Sequence, residues 1–156
     1  MRQVIAALVI GILLGWMSHS VLPQDVQAAE QPLGNTEDRA SPGDWVKENQ
    51  IKVLSDQIII EVPHAQWSAF LNTHSMDPVL DTGANGLQVA PQSPNQLSIG
   101  HIISYDIGNG PIIHRIVSIG NDGEWYAIAK GDNNAFADPV KVRFNEIRRV
   151  LIGIIY

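Results

Sequence analysis

The sequence predicts a mainly β fold made of short antiparallel strands, and three observations support this. Short segments rich in Val, Ile and aromatic residues recur from about residue 50 onward. Clusters of Gly, Pro, Asn and Asp, the residues that form tight turns, separate these segments. No long amphipathic helix pattern follows residue 50. Short strands at this spacing are typical of an all-β sandwich or a partly open barrel.

Strands are expected at residues 52–54, 57–62, 86–90, 101–106, 111–119, 124–130, 140–144 and 149–155. The β-branched run Ile58-Ile59-Ile60 and the turn cluster Gly108-Asn109-Gly110 are the clearest signals of each kind. Asp44, which follows Pro42-Gly43, is expected to begin a turn or a short helical turn. Residues 44–156 are therefore predicted to form one β-rich domain.

The N-terminal segment is predicted to be a membrane anchor. Residues 4–22 form an uncharged, largely apolar stretch of 19 residues, close to the ~20 that a helix needs to cross a bilayer. Arg2 is the only positive charge before it, which favours an internal N-terminus and an external remainder. The expected organisation is an anchor at 1–22, a linker at 23–43 and then the β-rich domain. The alternative is a cleaved signal peptide, because Val26-Gln27-Ala28 supplies the small residues of a cleavage site.

Composition excludes several kinds of function. The net charge of −6, without a run of Lys or Arg, argues against nucleic-acid binding. The chain has no cysteine, which excludes disulfides, thiolate zinc sites and a cysteine nucleophile. It also offers no His/Cys pair at metal-ligand spacing, so neither a metal nor an organic cofactor is expected.

Three segments together carry the chemistry that a serine nucleophile needs. They are Thr73-His74-Ser75-Met76-Asp77-Pro78, Ile112-Ile113-His114-Arg115-Ile116-Val117, and Lys130-Gly131-Asp132-Asn133-Asn134 continuing to Asp138-Pro139. A serine hydroxyl reacts only when a base takes its proton, and histidine titrates near neutrality. Taken singly, each of these residues is more often structural: a turn aspartate, an exposed serine or a satisfied strand histidine.

In order, identity and approximate spacing, these segments resemble the type I signal peptidases. The resemblance covers residues 71–156. It points to the archaeal and endoplasmic-reticulum branch, because the base position holds a histidine where the bacterial branch has a lysine. The fold it implies, a signal-peptidase-like β-rich catalytic core after one transmembrane helix, agrees with the strand pattern above.

The resemblance also implies a role for each site residue. Ser75 would be the nucleophile, His114 the general base and later acid, and Asp138 the carboxylate that orients the imidazole. Asp132 would order the loop that presents Asp138, or pair with a cation such as Lys130 or Arg115. The sequence does not show which of Asp132 and Asp138 orients the imidazole.

The implied protein is a single-pass membrane serine endopeptidase that removes signal peptides from exported preproteins on the extracytoplasmic side. Its expected partners are signal peptides, the lipid bilayer and the export machinery. Trp67, Phe70 and Leu71 precede the nucleophile and would form an apolar rim against the headgroups, or would be core residues.

Two positions depart from the family pattern. His74 precedes the serine where the family commonly has a small residue, which would place a second imidazole beside the site. After Pro78 the family often shows Gly-Asp, whereas this chain has Gly83-Ala84. One supporting carboxylate is therefore expected to be missing.

Two other classes of protein remain open. Residues 79–84 resemble the Asp-Thr-Gly-Ala signature of retroviral-type aspartic proteases, in which Asp81 would share a proton with its mate in a homodimer. That alternative leaves His114-Arg115 and the Lys-Gly-Asp-Asn-Asn segment unexplained. The second class is a non-catalytic anchored β domain that binds peptides or a partner.

Overall fold

The computed structural model describes residues 38–156. Nine strands make up its regular structure: β1 (Ile51–Val53), β2 (Ile58–Ile60), β3 (Gln66–Ala69), β4 (Asn85–Val89), β5 (Ile102–Asp106), β6 (Pro111–Asn121), β7 (Trp125–Lys130), β8 (Val142–Arg143) and β9 (Ile147–Ile155). Short 3₁₀ turns cover Glu48–Gln50, Pro94–Gln96 and Phe144–Glu146. The described domain is mainly β, which confirms the predicted fold class.

The strands form two sheets. β1 and β2 pair as a separate hairpin, and the other seven form one antiparallel sheet in the order β3-β4-β9-β5-β6-β7-β8. β6 pairs with β5 from residue 111 onward, but its pairing with β7 begins only at Arg115. Within residues 38–156, the segment Pro111–His114 therefore has no strand neighbour on the β7 side, and it includes the candidate residue His114.

Alternation along β5 lets the sheet bury apolar side chains on both faces. Ile103 and Tyr105 belong to the larger core, whose members include Ile116 and Val150, all with 0% exposure. Ile102 points the other way and packs in a smaller core, completed by Met76, Leu80 and Leu151. This smaller core anchors the turn that carries Ser75, because Met76 and Leu80 come from that turn.

One strand was not predicted from the sequence. β3 contains no β-branched residue and is an edge strand that pairs only with β4, so its pattern is weak. β8 is shorter than predicted, because Phe144 turns into a 3₁₀ helix. The short helical turn expected to begin at Asp44 begins later, as the 3₁₀ helix Glu48–Gln50 with Lys47 as its N-cap.

The predicted linker is described only from residue 38. Its last residues contact the domain, since the Gly43 amide donates to His101 Nε2 at 2.9 Å. The predicted anchor, residues 1–22, lies outside the described residues. Among residues 38–156, no helix combines the length and the apolar character that crossing a bilayer requires.

Candidate active site

Ser75 sits on the turn that follows β3. The turn is closed by backbone bonds from Val79 and Leu80 to the Met76 carbonyl, at 2.9 and 3.0 Å. Met76 and Leu80 are 3% and 4% exposed, so their burial fixes the turn on the sheet while Ser75 stays partly accessible. The two buried residues that follow Ser75 in the turn thus hold its hydroxyl at a defined place.

The Gly131–Asn134 segment holds this turn from the other side. The Asn133 amide donates to the Ser75 carbonyl at 3.0 Å, and its side-chain nitrogen donates to the His74 carbonyl at 2.9 Å. A Cβ on Gly131 would lie 2.5 Å from the Ser75 carbonyl oxygen, so only glycine permits this approach. The sequence singled out this segment for Asp132, but it is the backbone of the segment that positions Ser75.

His114 lies on β6 and is 8% exposed. Its Nδ1 is 2.7 Å from Asp138 Oδ2, within hydrogen-bond distance. A carboxylate can only accept, so the proton of the neutral ring is on Nδ1 and Nε2 is the free acceptor. Asp138 is held in turn by its own amide, which donates to the Ala129 carbonyl at 2.8 Å. The pair has the geometry of a base with its orienting acid.

Tyr105 is a third member of this group, which the sequence did not indicate. Its phenol donates to Asp138 Oδ2 at 2.5 Å, the same oxygen that receives His114 Nδ1. Tyr105 is fully buried, and its pKa is raised by burial, then by the hydrogen bond to Asp138 and by the charge of that carboxylate. The phenol therefore stays protonated and acts as a donor. No local pattern marks such a residue, since in sequence it is an ordinary strand tyrosine.

Asp132 is directed away from the histidine. Its carboxylate receives two bonds from Arg115, at 2.8 Å from Nε and 2.6 Å from Nη2. Arg115 also donates to the Gly100 carbonyl at 2.8 Å. This bidentate pair joins β6 to the loop that follows β7. Of the roles considered for Asp132, pairing with Arg115 is the one that the structure contains.

Ser75 and His114 line the same cleft, which has a volume of about 500 Å³. One wall is the extended segment Ser68–Leu71 and the other is Pro111–His114, while Gln88, Ser104 and Arg149 form the floor. The Ser75 hydroxyl lies 3.1 Å from Thr73 Oγ1. Within the described chain it forms no hydrogen bond with His114. The structure thus brings both residues to one cleft without joining them.

The other singled-out residues lie at the exposed surface. His74 Nδ1 is 3.0 Å from Asp77 Oδ2, so the second imidazole pairs within its own turn. Asp81 Oδ1 accepts a hydrogen bond from the Thr82 amide at 2.6 Å, as is typical of a turn.

The predicted apolar rim is divided in the structure. Trp67 and Leu71 are 65% and 85% exposed, whereas Phe70 packs against the smaller core.

A second buried histidine, His101, was not singled out from the sequence. It is 2% exposed, and its ring faces backbone and indole N–H groups: Ser98 at 3.0 Å from Nδ1, and Gly43 and Trp45 at 2.9 and 3.1 Å from Nε2. Burial lowers the pKa of His101, against a smaller opposing effect of the Gly43 backbone. This residue attaches the segment before β1 to the sheet.

Comparison of the chain with models of protein families, with curated proteins and with solved structures found no match.

Proposed function

We propose that this protein is a membrane-anchored serine endopeptidase that removes signal peptides from exported preproteins. One observation carries the proposal. Ser75 shares a cleft with His114, whose Nδ1 contacts Asp138 at 2.7 Å, although the three residues come from separate parts of the chain. A nucleophile, a base and an orienting acid in one cleft are the components of a serine hydrolase.

The chemistry follows from the positions of the protons. Ser75 Oγ would attack the substrate carbonyl while His114 Nε2 takes its proton, and Asp138 would stabilise the imidazolium that forms. The imidazolium then returns the proton to the leaving amine, and a water molecule repeats the sequence on the acyl-enzyme. Thr73 Oγ1, 3.1 Å from Ser75 Oγ, adds a hydroxyl beside the reacting oxygen. Catalytic hydrogen bonds are often absent from the free enzyme and form with substrate.

The shape of the cleft fits an extended peptide. Its walls are the two extended segments Ser68–Leu71 and Pro111–His114, which expose backbone groups at strand edges. An extended peptide binds such edges through main-chain hydrogen bonds, and its alternate side chains enter pockets. The exposed apolar side chains of Leu71, in the first of these walls, and of Trp67, just before it in the chain, support a position beside lipid.

The direct experiment incubates membranes that contain the full chain with a secretory precursor. The wild type is expected to release the mature protein, and Ser75→Ala is expected to release none. Equal processing by both, or none by the wild type, would refute the proposal.

The role of the anchor is tested by deleting residues 1–22. An anchor raises the local concentration of the catalytic domain at the bilayer without adding a contact. The truncated protein is expected to cleave a short soluble peptide and to process membrane-inserted precursors poorly. Full-rate processing of both substrates would assign residues 1–22 to a removable export signal.

A second candidate is a non-catalytic peptide-binding domain at the membrane. The observation that favours it is the Ser75 hydroxyl, which contacts Thr73 and not His114. This candidate predicts that wild type and Ser75→Ala bind precursor peptides equally and that neither cleaves them.

A further inference from the structure

Arg149 differs from the other strand arginines in having no acidic partner among residues 38–156. Arg115 pairs with Asp132 and Arg143 with Asp122, while Arg148 lies 4.0 Å from Asp106. No carboxylate among residues 38–156 lies within 4.0 Å of the Arg149 guanidinium. Arg149 is half-buried, so part of its charge is removed from water without compensation from that part of the chain.

The Arg149 cation lies in the cleft that holds Ser75 and His114. The other floor residues beside it, Gln88 and Ser104, are neutral, and the Ser104 hydroxyl is 3.4 Å from Gln88 Oε1. Much of the remaining wall is apolar, with Phe70 and Ile112 among its members. A guanidinium in such surroundings interacts more strongly with an anion than it would in open water.

Strand register gives the backbone distance between Arg149 and the β6 segment that carries His114. The His114 side chain lies on the other face of β6, because His114 pairs with Ile103, and it also lines the cleft. Arg149 pairs with Ser104, and Ser104 pairs with Ile113, the residue before His114. Directly paired residues point to the same face, and neighbouring strands are about 4.8 Å apart, so the backbone of Arg149 lies about 10 Å from that of Ile113. An extended peptide covers about 10 Å in three residues.

We infer that the cleft selects peptides with an acidic side chain within about three residues of the bond to be cut, and that Arg149 binds this carboxylate. This inference rests on the proposed function for the identity of the reacting bond. The planar guanidinium suits a carboxylate because the two form parallel hydrogen bonds, which a lysine cannot reproduce. Arg149 is therefore a specificity residue, with no part in proton transfer.

Binding of peptides to the full chain in detergent, carrying Ser75→Ala to prevent turnover, provides the first test. The probes are fluorescent peptides with blocked termini, each carrying one Asp at a different position, and a matched set with Asn. At one position the Asp peptide is expected to bind about tenfold more tightly than its Asn counterpart, the typical size of a charge-assisted hydrogen bond. Equal affinities at every position would overturn the inference.

Arg149→Gln should abolish the preference for Asp, and Arg149→Lys should retain only part of it. Arg148→Gln is the matched control, because it removes the same charge one residue away, from a side chain that is 57% exposed and is not among the residues that line the cleft. Arg149→Glu should reverse the preference, so that a Lys peptide binds better than the Asp peptide. Circular dichroism melts show whether each variant is folded. A preference that survives Arg149→Gln, or that Arg148→Gln also removes, would overturn the assignment.

Cleavage by the wild-type chain separates this inference from the proposed function. If Asp and Asn peptides are cleaved with equal kcat/KM, the inference fails and the peptidase assignment stands. If no peptide is cleaved but Arg149-dependent binding of Asp peptides persists, the inference stands and the peptidase assignment fails.

Discussion

His114 and His101 are both buried histidines, but their partners give them opposite properties. His114 Nδ1 faces the Asp138 carboxylate, which can only accept, so its Nε2 is left as an acceptor toward the cleft. The shorter contacts of both His101 nitrogens are to N–H donors, and the acceptors near the ring, Ser98 Oγ and the Gly43 carbonyl, are each 3.4 Å away. The neutral ring carries one N–H, and imidazolium would add a second N–H against a donor. Burial is therefore a poor indicator of a catalytic base. What distinguishes the two rings is whether the neighbours accept or donate.

The largest expected effect is the difference in activity between the variant that lacks the His114 ring and the variant that lacks the His101 ring. His114→Ala should lower turnover about 10⁴-fold or more, because the nucleophile loses its proton acceptor. His101→Ala should leave turnover nearly unchanged while it lowers the thermal unfolding midpoint, since buried N–H groups lose their acceptor. Precursor cleavage and calorimetry measure the two effects. Loss of turnover in a folded His101→Ala variant would contradict the structural role assigned to His101.

The next effect distinguishes the two aspartates. Asp138→Asn should reduce turnover about 10⁴-fold, because the amide no longer fixes the tautomer of His114 or stabilises the imidazolium. Asp132→Asn should cost far less turnover, since its carboxylate contacts Arg115 and not the ring. Single-turnover kinetics on both folded variants measure the loss of turnover in each. Equal losses would show that the Arg115 pair matters as much as the direct contact.

Tyr105→Phe removes one hydroxyl from the Asp138 carboxylate and keeps the aromatic ring in the core. Without this donor the carboxylate stabilises imidazolium more strongly, so the acidic limb of the pH–rate profile should move to higher pH. The stability loss should be about 1 kcal/mol, as for a typical hydrogen bond. A purely structural tyrosine would change the unfolding midpoint and leave the pH profile in place.

His101 also predicts a pH dependence of stability. Because burial lowers its pKa, the folded protein binds fewer protons than the unfolded chain below the ordinary histidine value. Its stabilising contribution is therefore complete above a pH of about 6.5 and is lost as the pH falls through the lower folded value. The thermal unfolding midpoint should decrease as the pH is lowered from about 7 to about 5.5. His101→Gln should flatten this part of the curve, and an unchanged slope would refute the assignment.

The smallest effect is expected at His74. Its ring pairs with Asp77 on an exposed turn, and exposed pairs contribute about 0–1 kcal/mol. His74→Ala should therefore change turnover by no more than a few-fold. If turnover depended on His74 and survived His114→Ala, the base would be misassigned.

The sequence by itself determined the fold class and the segments in which the candidate residues lie. Alternating apolar residues and turn clusters are local signals. Most strands of the sheet could therefore be predicted to within a few residues of their observed ends. The edge strand β3 was missed because it is only four residues long and Trp67 alone among them is of a type enriched in strands.

Only the tertiary structure decided which side chains meet. Asp132 and Asp138 have similar surroundings in sequence, and the loop after β7 directs one to Arg115 and the other to His114. Likewise, Arg148 and Arg149 are neighbours, but the pairing of β9 with β5 is irregular here, and Arg148 lies at the surface while Arg149 lines the cleft. Such outcomes depend on the register between distant strands, where a shift of one residue exchanges the two faces, and no local pattern contains that information.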